Sequence, residues 1–575
     1  MGWLDWTVMI GTLLAIAAYG TWRTRHQRTV NDYLRGGGEM RWFTIGLSVM
    51  ATQASAITFL SAPGLGYESG LRFVQFYFGL PLALVLIAAF FIPIYYRLRV
   101  YTAYEYLEQR FDLRTRLLAA SLFLIQRGLA AGLTIFAPAI VLSSLLGWDL
   151  NFTNLFVGIL VIVYTVSGGT RAVSVTQRWQ MGVIFLGMVL AFGILVYHIT
   201  QEVSMPVALE LAGTAGRMQV LDFSFDLDQR YTLWTGLTGG LFLALSYFGT
   251  DQSQVQRYLT GRNVRESRLG LMFNAALKIP MQFFILFTGV LVFIFYLYQQ
   301  PPLFFNEVAL ERLEEQGYGE ELDELQGRYD QNYQQLQEAR QLLSESYVAG
   351  GHGEASASAK SLFREQLAED QQLRQELKNL LLEADPEFKV KDTNYVFLTF
   401  VMEYLPAGVV GLILALIFSA AMSSTSSELN ALSTTSSIDL YRRLFNREVS
   451  EAQHLRVSRW LTLLWGSLAI GFALTASLFD NLIEMVNLLG SLFYGSILGI
   501  FIVAFFLRWI KGRAVFWAAL VGEAAVLLIH FGRVWHWEWL SFMGTIGYLW
   551  YNVIGCGLVV LTAVILQAFG QKRVS

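Results

Sequence analysis

Residues 50–66 read MATQASAITFLSAPGLG, and residues 419–437 read SAAMSSTSSELNALSTTSS. Both lie inside windows otherwise apolar enough to cross a bilayer, yet both are built largely from small and hydroxyl residues. A helix interrupted near mid-membrane, whose freed carbonyls line a cavity and coordinate a cation, takes such a composition. So does a helix packed closely on a neighbour through small residues. In the second stretch Ser423, Ser426 and Ser427 fall at i, i+3 and i+4 with Ser424 adjacent, so one helical face presents hydroxyls. Hydroxyl and carbonyl oxygens suit a monovalent hard cation, sodium, better than calcium, which favours carboxylate-rich shells. Serine clusters also serve as hydrogen-bond glue between helices.

Outward from these stretches, the window of about 20 apolar residues that crosses a bilayer as helix recurs thirteen times: 3–20, 43–67, 73–96, 117–146, 152–166, 179–199, 231–249, 270–298, 406–431, 457–479, 482–507, 514–531 and 544–569. The expected fold is an all-α polytopic membrane protein with about 13 transmembrane helices. Composition agrees: 54% of residues are apolar and 15% charged, against about 25% charged in soluble domains. The single cysteine, Cys556, excludes an intramolecular disulfide, and six scattered histidines build no metal centre or proton relay. A nucleophile paired with a base at membrane depth is also lacking, so an enzyme is not expected. A formal charge of -3 gives no nucleic-acid footprint.

Basic loops stay cytoplasmic. With the segment after the first window taken as inside, it holds Arg23, Arg25, Arg28, Arg35 and Arg41, and the next inner loop holds Arg97, Arg99, Arg110, Arg114 and Arg116. The expected location is the plasma or inner membrane, multi-pass, with the N-terminus outside and the C-terminus cytoplasmic. The first window has no basic n-region and no cleavage site, so it reads as a retained helix. The soluble-looking stretch 299–394 falls outside. Leu322, Tyr329, Leu336 and Leu343 recur every seven residues, with Leu325 and Ala339 between, and Phe363, Leu367, Leu377 and Leu381 stripe a second segment beyond a small-residue linker at 350–358. This predicts an antiparallel helical hairpin, read either as a solvated decoration or as a gating element or docking site for an extracellular partner.

Together these features resemble the sodium/solute symporter family, the group of sodium-coupled sugar, proline, sialic acid, vitamin, monocarboxylate and iodide carriers. The resemblance rests on SAPGLGY (61–67), TAYEYLEQRF (102–111), FAPAIVLSSLLG (136–147), SGGTRAVSVTQRWQ (167–180), TDQSQVQRYL (250–259) and AAMSSTSSELNALSTTSSIDLY (420–441). TAYEYLEQRF and FAPAIVL are nearest to the vitamin, monocarboxylate and iodide branch. The resemblance implies two inverted five-helix repeats of leucine-transporter-like fold. The expected organisation is a first flanking helix and inner loop (1–42), first repeat (43–199), outer loop (200–230), first part of the second repeat (231–298), hairpin insert (299–394), remainder of the second repeat (395–508), and flanking helices with a cytoplasmic tail (509–575).

The same resemblance implies a sodium site at the carbonyls of Ala51, Ala54 and Ala420 and the hydroxyls of Ser423 and Ser424. A second site, of Ser426, Ser427 and position 177, departs from the family pattern: TQRWQ places the neutral amide of Gln177 where two-sodium members resemble T-D-x-x-Q. One sodium per cycle is expected, with no other cofactor. A charge crossing about 100 mV gains roughly 2.3 kcal/mol and a tenfold gradient about 1.4 kcal/mol. One sodium then concentrates a neutral solute several hundredfold, and a monovalent anion about tenfold.

Substrate is expected at the repeat interface. Tyr247 and Lys278 match a gating tyrosine and a pocket lysine of sugar carriers, whereas Ala244 and Tyr77 stand where those carriers have an asparagine and a glutamate. Gln53, Ser55, Thr58 and Gln75 supply polar groups. Arg127 lies about ten residues, roughly 15 Å, from the inner end of its helix. It reads either as an anchor for a substrate carboxylate or as internally paired with a buried acid such as Glu523 or with helix-end carbonyls. The expected function is sodium-coupled import of a small polar organic solute, either an organic anion such as a carboxylate or vitamin, or a sugar-like metabolite. The alternatives are a proton-coupled or uncoupled permease, or a transporter-like sensor or scaffold. A proton-coupled permease would want a titratable acid near the cation site, whose helices read as offering only hydroxyls and carbonyls.

Overall fold

The computed structural model describes residues 1–24, 36–98, 100–350, 354–386, 390–445, 450–475, 482–535 and 546–572. Among them the chain is almost wholly helical, without named strands. The helices that build the membrane part are α1 (Trp3–Thr24), α2 (Trp42–Gln53), α3 (Ala56–Ser69), α4 (Leu80–Leu86, passing through a π turn into Ile92–Leu98), α5 (Leu113–Leu146), α6 (Leu150–Glu202), α7 (Gly239–Gly249), α8 (Gln252–Leu259) and α9 (Val264–Tyr296). The chain then leaves the bundle as α10 (Gly319–Val348) and α11 (Glu354–Ala384). It returns as α12 (Val409–Thr435), α13 (Glu451–Thr475), α14 (Leu482–Phe506), α15 (Gly512–Val534) and α16 (Leu549–Lys572).

Ten helical stretches among the described residues are long and apolar enough to span a membrane, and Leu150–Val166 and Leu233–Gly249 are shorter apolar helices. Large apolar side chains such as Leu14, Ile159, Val163, Val189, Trp460, Leu468 and Leu561 stand exposed along them, as a bilayer-facing surface requires.

Two helices break. Ala54 N–H still donates to Met50 O (2.8 Å), but Ser55 N–H turns to Gln53 O (3.1 Å), so the carbonyl of Ala51 loses its helical partner. Ala54 (φ -83°, ψ 77°) and Ser55 (φ -80°, ψ 168°) leave helical geometry, and α3 restarts at Ala56. The second break separates α7 from α8 at Thr250–Asp251. Asp251 (φ -75°, ψ 121°) caps α8, its carboxylate accepting from Ser253 N–H. The window at 231–249 gave no sign of α8, whose polar QSQVQRYL sequence is nonetheless buried.

The small residues of 50–66 divide their work. Beyond the break, Gly66 sits against α9 so closely that a Cβ would lie 2.2 Å from Leu286 O, and Gly289 of α9 returns the approach, its Cβ position 1.9 Å from Pro63 O. Interruption and close packing therefore both occur, the packing two to three turns beyond the break. In α6 the SGG sequence makes a kink at Gly169 (φ 58°, ψ -175°), a conformation open to glycine but costly to other residues.

TAYEYLEQRF braces one side of the bundle. Thr102 and Arg116 both bond Asp439 Oδ1 (2.8 and 2.7 Å), Tyr104 donates to Thr250 O (2.9 Å) at the second break, and Arg110 donates to Leu507 O and Arg508 O at the end of α14. On the other side, α10 and α11 form an antiparallel hairpin: Arg328 pairs with Glu376 (2.7 Å) and Asn332 with Gln366 O (3.4 Å). Leu322, Leu325, Tyr329, Leu336, Ala339 and Leu343 are buried along its seam with Phe363, Leu377 and Leu381. The connection is shorter than the linker expected at 350–358, because α11 begins at Glu354. The hairpin's return segment docks on α3: Ser61 bonds Asn394 (2.6 Å), and Thr393 bonds Glu68 (2.9 Å).

Candidate functional site

Ala51, Ala54, Ala420, Ser423 and Ser424 are all buried. The freed carbonyl of Ala51 accepts the Ser423 hydroxyl at 2.9 Å, which joins the first break to α12. The Ser424 hydroxyl donates back along α12 to Ala420 O (3.0 Å), so both hydroxyls bond carbonyls of the expected cation site.

Beside it, Gln177 of α6 reaches between α2 and α12. Its Nε2 lies 2.8 Å from Ser427 Oγ, 3.0 Å from Ser423 Oγ and 3.1 Å from Thr52 Oγ1, while its Oε1 accepts from Ser48 Oγ (2.5 Å). Ser423 donates to Ala51 O, Ser427 to Ser423 O and Thr52 to Ser48 O (2.9, 2.8 and 2.8 Å). The three hydroxyls thus turn lone pairs toward Gln177, and only the NH2 end of the amide matches them. Ser426 instead donates to the Ser423 carbonyl (3.2 Å).

A cavity of about 90 Å³ lies next to the first break, room for about three waters. Gln53, Ser55, Thr58, Tyr77, Arg127 and Tyr247 line it, with Thr52, Thr134, Ser424, Glu428, Asn487 and Tyr494 and the apolar Ile57, Phe76, Leu243, Ile483 and Val486. Two expected substrate residues lie elsewhere. Gln75 holds the loop after α6, accepting from Asp222 N–H (2.9 Å) and donating to Tyr231 O (3.1 Å), because the turn 70–77 carries it away from the cavity. Lys278 is buried against Tyr77, its Nζ 5.4 Å from the ring centroid, and is not part of the cavity wall.

Arg127 lines the cavity and is engaged by protein partners. Its Nε and Nη2 bond Asp251 Oδ2, Nη2 also bonds Tyr494, Nη1 bonds Glu428 Oε1 at 3.0 Å, and its guanidinium lies 5.3 Å from the Tyr247 ring centroid. The ion pair is internal, with Asp251 and Glu428 in place of Glu523. This also corrects the expectation that the site helices carry no acid: Glu428 stands on α12 one turn beyond Ser424 and lines the same cavity. Both acids were visible, Glu428 inside the quoted serine stretch and Asp251 in TDQSQ. A carboxylate within an apolar span is a functional signal by itself.

The sodium:solute symporter family model matches residues 33–306 and 386–522, passing over most of the hairpin. The human sodium/iodide cotransporter is 34% identical over 297 residues, 51% of this chain and 45% of that protein. The sodium/sialic acid symporter of Proteus mirabilis is 26% identical over 576 residues, 98% of this chain and 95% of its own. A solved Na+-coupled sialic acid symporter, substrate-bound and outward-open, superposes with a TM-score of 0.74 at 24% identity, covering 99% of this chain and 98% of that one. The chain shares the fold of that solved symporter, and with the family model matching well over half its length the chain belongs to the sodium:solute symporter family.

Proposed function

We propose that the protein couples the inward movement of one sodium ion to that of a small polar organic solute. The observation that carries this reading is the meeting of a freed carbonyl, Ala51 O, with the Ser423 hydroxyl at 2.9 Å beside a polar cavity. Sodium would take the oxygens of Ala51, Ala54, Ala420, Ser423 and Ser424 together. The Ser423 and Ser424 protons would rotate off their carbonyls, and one ion would then tie the broken helix to α12. That tie favours one angle between the two helices and so one state of the transporter, and coupling requires only that sodium and solute prefer the same state. Solute would bind over Gln53, Ser55 and Thr58 of the break, under Tyr77 and Tyr247. The similarity to sodium-coupled relatives supports sodium as the ion, and the basic loops support an N-terminus outside and a hairpin facing the exterior.

A second reading, proton coupling, draws on Glu428 at the cavity. Proteoliposome uptake with sodium replaced by choline separates the two. The sodium reading requires uptake to collapse in choline at constant pH and Ser423→Ala to lose sodium-dependent thermal stabilisation. Uptake that persists in choline and follows a pH gradient refutes it.

A further inference from the structure

We propose that Glu428 belongs to the cation machinery: it holds a negative charge that Arg127 does not neutralise, sodium completes a neutral set, and the solute beside it is uncharged or zwitterionic rather than anionic. This rests on reading the cavity as the solute pocket, and it fixes the chemical class that pocket accepts.

The count starts at Arg127. A guanidinium has five N–H donors. The bonds of Nε and Nη2 to Asp251, of Nη2 to Tyr494 and of Nη1 to Glu428 engage four of them. Tyr247 covers one face of the group. The single N–H left cannot make the two parallel bonds by which arginine grips a carboxylate.

The two acids share that one positive charge unequally. Asp251 Oδ2 receives two N–H groups of Arg127 and the Tyr494 hydroxyl (2.8 Å). Its Oδ1 receives the Ser253 N–H (2.8 Å) and hydroxyl (2.6 Å) at the N-terminus of α8. Glu428 receives one Arg127 N–H at 3.0 Å and the Thr134 hydroxyl at 2.8 Å. Asp251 therefore takes the guanidinium's charge, and Glu428 presents the excess to the cavity it lines with Ser424.

Residues four apart on a helix place their side chains about 6 Å from each other. At an effective dielectric of about 20, unit charges at that separation change binding by about a hundredfold. Glu428 thus favours a cation at Ser423–Ser424, and the same negative charge opposes an anion in the cavity it lines. Gln53 points the same way: its Oε1 is buried without a hydrogen-bond partner among the described residues and asks for a donor. Hydroxyl or ammonium groups of a neutral or zwitterionic solute supply donors to both Gln53 and Glu428.

Binding of 22Na+ to the purified full chain tests the charge, with wild type, Ser423→Ala, Glu428→Gln and the charge-keeping Glu428→Asp. Sodium-driven uptake of iodide, lactate and sialic acid, against alanine and glycerol, tests the solute class. The proposal expects Glu428→Gln to weaken sodium at least tenfold, Glu428→Asp to stay within about threefold of wild type, and none of the three anions to be driven inward. Glu428→Gln binding sodium like wild type while Ser423→Ala does not would overturn this inference and leave the sodium site standing. Sodium-driven uptake of any of the three anions by the wild type would overturn it as well. Absence of sodium binding in the wild type would refute the coupling reading itself, and this inference with it.

Discussion

Replacing Gln177 by Asp should create a second sodium site. In the wild type the amide nitrogen occupies the centre of a cage made by Thr52, Ser423 and Ser427, with oxygens at 2.8 to 3.1 Å, and acts there as a permanent, neutral stand-in for a cation. Gln177→Asp removes that NH2, shortens the side chain by one methylene and places a carboxylate facing three hydroxyls. Without sodium the buried charge lacks a partner, which costs about 3–5 kcal/mol by analogy with a broken buried ion pair. Sodium at about a hundred times its Kd returns roughly 2.7 kcal/mol. The variant should therefore be much less stable than wild type in choline and recover most of the deficit in sodium. Equilibrium dialysis with 22Na+ should give one ion per chain for wild type and two for Gln177→Asp, with Gln177→Asn remaining at one. Two ions in wild type, or one in a folded Gln177→Asp whose stability ignores sodium, would show that the amide is not holding a cation's place.

Gly64→Ala would set a Cβ 1.9 Å from Thr393 O, so the hairpin's return segment must shift; a loss of about 1–3 kcal/mol should appear as faster proteolysis of the hairpin. Gly169→Ala forces alanine into φ 58°, ψ -175° and should cost about 1–3 kcal/mol, read as a lowered Tm. Burial raises the Asp392 carboxyl above the ordinary range, against the lowering effects of Phe305 N–H and Arg374. A raised folded-state value means that the native junction holds its proton more tightly than the unfolded chain does. The stabilisation is then complete below the unfolded value and lost as pH rises through the folded one. Proteolytic protection of the hairpin should fall over that window in wild type and be flat in Asp392→Asn.

The membrane helices are legible because apolar windows of bilayer length leave few alternatives, and the hairpin because apolar residues recur at helical spacing on both sides of the turn. The first break can be read from residues 50–66, the rest of which packs closely on its neighbours through small residues. The second break was not legible from its own residues: α8 is polar, and its burial depends on partners far away in sequence, such as Thr170 and Thr434 bonded by Gln256. Arg127 stands out as a charge inside an apolar window, but its partners come from α12 and from the cap of α8, 301 and 124 residues distant. Gln177 could be recognised as an uncharged substitution. That its NH2 fills the cage depends on where three hydroxyl protons point, which only the assembled helices decide.

The two breaks are held in different ways, and the difference bears on what one ion can do. At the second, Tyr104 bonds the Thr250 carbonyl and Arg127 bonds Asp251, so protein groups alone satisfy the interruption. At the first, Gln177 bridges α2 and α12 through Ser48, Thr52 and Ser427, and the freed Ala51 carbonyl has a single serine hydroxyl for which an ion can compete. Ionic control is thereby concentrated at one place. A single sodium carries about 3.7 kcal/mol at 100 mV and a tenfold gradient, enough to concentrate a neutral solute several hundredfold but an anion only about tenfold. A cavity whose excess charge is negative rejects the anion that one sodium would move poorly and keeps the neutral solute that it moves well. On the proposed coupling, stoichiometry and selectivity would follow from two residues, Gln177 in the cage and Glu428 in the cavity, each reversible by a single substitution.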